Sequence, residues 1–174
     1  MTKSILISSF ILFCAVLTEA SVLANISFLY AMPDLVLICT VYFALLNGRG
    51  VGQTTGFISG LLLDFITGIP FGFNCLLRTI IGYIYGFFTE TLILRGIIIP
   101  MATIGSATII KSILISLLKL LFPNVNLYHP GLISNQFLFE LIANILLAPV
   151  MFKFLSFFNS SLEVSTTQDR VDNV

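Results

Sequence analysis

Six charged side chains lie within long apolar stretches of the sequence, and they are the residues best placed to do chemistry. They are Glu19, Asp34, Asp64, Arg78, Lys111 and Glu140. A charged side chain at the centre of a bilayer costs about 2.5–3.5 kcal/mol on insertion scales, so each needs a partner or a role. We expect Arg78 and Lys111 to neutralise Asp64 and Glu140. The six residues are therefore candidates for an intramembrane polar network, whether structural or functional.

Asp34 also has a simpler explanation, because it directly follows Pro33. Proline is tolerated in the first turn of a helix, and a carboxylate there complements the positive end of the helix dipole. The pair predicts a helix start.

Other reactive residue types form no recognisable site. His129 is the only histidine and lies beside Pro130 in a predicted loop, while Cys14, Cys39 and Cys75 sit in apolar runs without metal-ligand spacing. Neither a Walker loop nor a dinucleotide-binding fingerprint occurs. We therefore expect no catalytic residue, no metal and no cofactor, and we predict a protein that is not an enzyme.

The composition indicates the environment in which these side chains lie. Hydrophobic residues make up 57% of the chain and charged residues 9%, with a mean hydropathy of +1.07. An ordinary soluble domain has roughly 25% charged residues, so this chain is predicted to lie in a bilayer. Eight basic and eight acidic residues give zero net charge, which provides no electrostatic footprint for nucleic acid.

The apolar runs predict an all-α, polytopic membrane protein, a compact bundle of about six transmembrane helices. The spans are Ser4 to Ala24, Pro33 to Asn47, Gly52 to Thr67, Phe71 to Phe88, Ile97 to Leu121 and Leu132 to Leu155. They form one transmembrane domain over residues 1–158, followed by a polar cytoplasmic tail over 159–174 that we expect to be disordered. The second and third spans are short, so they form either a hairpin buried among the others or one span extended through its loop.

Basic residues near the span ends predict the orientation. With a cytoplasmic N-terminus, one group of basic residues falls inside and Lys119 alone lies near the outer face. That inner group comprises Lys3, Arg49, Arg95, Lys153 and Arg170. Both termini are expected in the cytoplasm.

Glycines recur at every fourth position of the third span. They are Gly48, Gly52, Gly56 and Gly60, and Asp64 and Gly68 continue the register. Gly82 and Gly86 form a shorter ridge in the fourth span. Such ridges permit close helix contact in lipid. The ridge of Gly52, Gly56 and Gly60 packs against a helix of the same chain or forms a docking face for a partner helix, and the two readings are compatible.

Two segments resemble the MreD family. Met32-Pro33-Asp34-Leu35 is similar to the opening of its second span, and residues 56–74, GFISGLLLDFITGIPFGFN, are similar to its Gly-x-x-x-Gly-Leu-x-x-Asp run and Gly-x-Pro-x-Gly turn. From Ile97 onward the similarity is one of hydropathy.

This resemblance implies a non-enzymatic scaffold in the bacterial inner membrane. It implies a subunit of the rod-shape, or elongation, complex that binds MreC and helps couple MreB filaments to peptidoglycan synthesis by RodA and a penicillin-binding transpeptidase. The family is also distantly similar to the substrate-binding S components of energy-coupling-factor vitamin transporters, which hold ligands in a polar pocket at the outer side. A small-molecule binding module is therefore the alternative, with Glu19, Asp34, Asp64 and Arg78 as its candidate residues.

Overall fold

The computed structural model describes residues 2–21, 32–68, 70–89, 96–123 and 134–159, and within these ranges all regular structure is helical. The helices are α1 Thr2–Ser21, α2 Leu35–Thr67, α3 Phe73–Gly86, α4 Ile98–Leu121 and α5 Asn135–Ser156. By length and hydropathy α2, α4 and α5 can cross a membrane, and Ile5–Ser21 is a shorter apolar helix. The predicted all-α class is confirmed, whereas the expected count of about six helices is wrong, since the described residues form five.

The count differs because the predicted second and third spans are one helical element. Helix α2 contains a single residue with non-helical backbone angles, Gly48, at φ 83° and ψ −175°. This positive φ is readily adopted by glycine and is strained for other residues. One residue therefore takes the place of the loop that we expected between the two spans.

The chain reverses direction at Gly48. The hydroxyls of Thr40 and Ser59 lie 3.3 Å apart although 19 residues separate them. A straight helix would hold them about 28 Å apart at 1.5 Å per residue. Helix α2 is thus a hairpin of two antiparallel arms, a first arm over residues 35–47 and a second arm over 49–67. Of the two alternatives for these short spans, the hairpin is the one found.

The glycine ridge of the second arm lies against α3 of the same chain. A Cβ atom at Gly52 would meet the carbonyl oxygen of Gly82, one at Gly56 that of Arg78, and one at Gly60 that of Asn74. The two helices run antiparallel with their backbones in contact. Glycine permits this approach because its side chain is a single hydrogen atom. This face is filled by α3 and is not open to a partner helix.

Helices α4 and α5 form a second antiparallel pair. We call the end of the bundle that contains the Gly48 turn the tip end. There the turn lies near Thr89, whose hydroxyl donates to the Ala44 carbonyl at 3.1 Å. Also at the tip end, the Tyr42 hydroxyl donates to the side chain of Asn159. Asn159 is the first residue of the predicted tail, and residues 160–174 lie outside the described part of the chain.

Large apolar side chains cover the outside of the bundle. Ile98 and Leu120 on α4 are 80% and 79% exposed, and α5 exposes Leu146 and Val150. Water would disfavour this surface, whereas lipid chains accept it directly. The hydrophobic exterior therefore fits a bundle embedded in a bilayer.

Gly56→Ala should destabilise the bundle, because its methyl group would overlap the backbone of α3. We expect a loss of about 1–3 kcal/mol, as for other overpacked interiors. Gly105→Ala is the matched control, since its Cβ would meet only the flexible end of Ile145 at 3.2 Å. Thermal unfolding in detergent should show a lower Tm for Gly56→Ala alone. Equal melting temperatures would contradict the close packing of the second arm on α3.

Candidate functional site

Asp34 is the centre of a buried charged cluster and begins helix α2. Its Oδ1 accepts the backbone N–H of Leu37 at 2.7 Å, which caps the helix. Its own N–H donates to Oδ1 of Asn144 on α5 at 2.7 Å. Pro33 precedes the cap rather than occupying the first turn, because the helix starts at Leu35. The predicted helix start is confirmed, and the carboxylate lies at the positive end of the helix dipole.

Two cations converge on the Asp34 carboxylate from different helices. Arg78 on α3 places Nη2 2.8 Å from Oδ1, and Lys111 on α4 places Nζ 2.8 Å from Oδ2. Lys111 also lies 2.6 Å from Oε1 of Glu140 on α5. The formal charges of these four side chains sum to zero. The cluster therefore joins α2, α3, α4 and α5 without leaving net charge among its members.

Burial makes this cluster sensitive to the loss of any member. Asp34 and Arg78 are each 5% exposed. Two opposite charges in a buried pair compensate each other's desolvation, and removing one of them typically costs 3–5 kcal/mol. Arg78 depends on Asp34 in particular, because its Nε and Nη1 atoms are buried without a hydrogen-bond partner.

Glu19 extends the cluster to α1. Its Oε2 accepts the backbone N–H of Val36 at 3.3 Å, so it satisfies another free N–H in the first turn of α2. The end of α1 is thereby fixed beside the start of α2. Five of the six charged residues selected from the sequence are thus gathered around this helix start.

Asp64 lies apart from the cations and has a different function in the fold. Its Oδ2 accepts N–H groups of Gly72 and Cys75 at 2.9 and 3.2 Å, and its Oδ1 accepts that of Asn74 at 2.9 Å. The expected neutralisation of Asp64 by Arg78 is therefore wrong. A carboxylate near the start of α3 is stabilised by unpaired N–H groups and by the helix dipole, so it needs no cation.

Asn144 and Thr108 complete the cluster and were not selected from the sequence. Asn144 donates to Oγ1 of Thr108 at 3.1 Å while accepting from Asp34. A signal for Asn144 was present, since it follows Glu140 by four residues and so shares its helix face. No sequence signal indicated Thr108, because a threonine in a membrane helix usually donates to a backbone carbonyl of the preceding turn. Thr108 itself donates to the carbonyl of Ile104.

The arrangement connects helices through ion pairs and hydrogen bonds within the chain. No group of three potential metal ligands occurs among the described residues. Asp34, Glu140, Asp64 and Glu19 each accept hydrogen bonds from other groups of the chain. Cys39 and Cys75 are buried free thiols. His129 lies outside the described residues.

These features define a class, a polytopic membrane protein whose helices are locked by buried charges. Comparison with known families makes the assignment specific. The family described as rod shape-determining protein MreD matches residues 1–158. The chain therefore belongs to the MreD family of rod shape-determining membrane proteins, as the sequence motifs indicated. No curated protein and no solved structure matches the chain significantly.

Asp34→Asn should destabilise the bundle far more than Glu140→Gln, although each removes one carboxylate charge. The first change leaves Arg78 without its only ionic partner in the described part of the chain, and we expect a loss of about 3–5 kcal/mol. The second leaves Lys111 paired with Asp34, so a loss of about 1–2 kcal/mol is expected. Melting temperatures and membrane abundance of both variants provide the measurement. A similar loss in the two would show that Asp34 has no special place in the cluster.

Proposed function

We propose that this protein is a non-enzymatic scaffold subunit of the rod-shape complex. In this proposal it binds MreC and helps couple MreB filaments to peptidoglycan synthesis by RodA and a penicillin-binding transpeptidase. Membership of the MreD family supports a role in cell shape. The observation that favours a scaffold is the engagement of the four described carboxylates with cations and backbone amides of the same chain.

A scaffold requires a fixed shape more than a reactive group, and the cluster meets that requirement. A general acid or base must be free to exchange a proton with a substrate. The Asp34 carboxylate, held by Arg78, Lys111 and the cap of α2, is committed to structure instead. The charged network is therefore proposed as the element that keeps the partner-binding surface in one conformation.

The direction of the helices supports a topology with both termini on one side of the cytoplasmic membrane. Helix α1, the two arms of α2, and helices α3, α4 and α5 make six segments, and an even number returns the chain to its starting side. The tip end carries Arg49 and Lys153, both exposed. Positive residues favour the cytoplasmic side, so we propose that the tip end faces the cytoplasm.

Reporter fusions test this topology. A reporter after Val174 should give a cytoplasmic signal, and one inserted between Asn124 and His129 should give an external signal, because a single crossing by α5 separates the two positions. A fusion at Gly50 beside the turn of α2 serves as an internal control and should report the cytoplasm. A cytoplasmic signal from the reporter inserted between Asn124 and His129 would refute the six-segment arrangement.

Copurification tests the scaffold proposal. Solubilised from native membranes, the protein should retain MreC, and loss of the gene should be complemented by the wild type but not by Asp34→Asn. The alternative function, an S component, predicts a retained vitamin or a copurifying ATPase module instead. Failure to recover MreC under mild detergent would reject the scaffold proposal.

A further inference from the structure

We draw no further inference here: the strongest candidate, the side chain of Arg78 beside the start of α2, whose Nε and Nη1 atoms have no hydrogen-bond partner among the described residues, belongs to the charged cluster already described, and both atoms are buried within it, where they present no open site to a ligand.

Discussion

The fold depends on one carboxylate that several helices share. Asp34 caps α2, and its carboxylate accepts hydrogen bonds from Arg78 of α3 and Lys111 of α4. Its backbone N–H donates to Asn144 of α5. In a bilayer the hydrophobic effect between helices is absent, since lipid chains are as apolar as leucine. Specific polar contacts must then fix which helices are neighbours, and a buried charge with several partners does so more strictly than apolar packing.

The glycine ridge makes this convergence possible. Because Gly52, Gly56 and Gly60 lack side chains, α3 approaches the second arm of α2 to backbone contact, and that approach carries Arg78 toward Asp34. The turn at Gly48 has a related effect, since it folds the first arm back so that its start lies beside α3. The glycines thus set the distance between the helices, and the charged residues determine which helices are neighbours.

Much of this fold could be predicted from the sequence, because hydropathy and glycine spacing are local signals. The membrane class followed from hydropathy, the start of α2 from the Pro33–Asp34 pair, and the family from the resemblance of its sequence motifs. The pairing of charges did not, since Asp64 and Asp34 are both acidic residues in apolar runs and only the tertiary fold decides which one meets Arg78. Asp64 instead accepts hydrogen bonds from backbone N–H groups of the turn that starts α3. This role could not be predicted without the geometry of that turn. The predicted number of helices was too high because the single residue Gly48 takes the place of the loop expected between two spans.

The distribution of polar and apolar side chains separates the inside of this protein from its outside. Inside the bundle, Arg78 and Lys111 balance the charges of Asp34 and Glu140, and Asn144 joins the same cluster through the backbone of Asp34. On the outside, large apolar side chains such as Ile98 and Leu120 are exposed. Lipid chains accept that surface without specific contacts, so the apolar exterior cannot determine which helices are neighbours. That selection depends on the buried charges, because only a correctly placed helix supplies the matching partner for each of them.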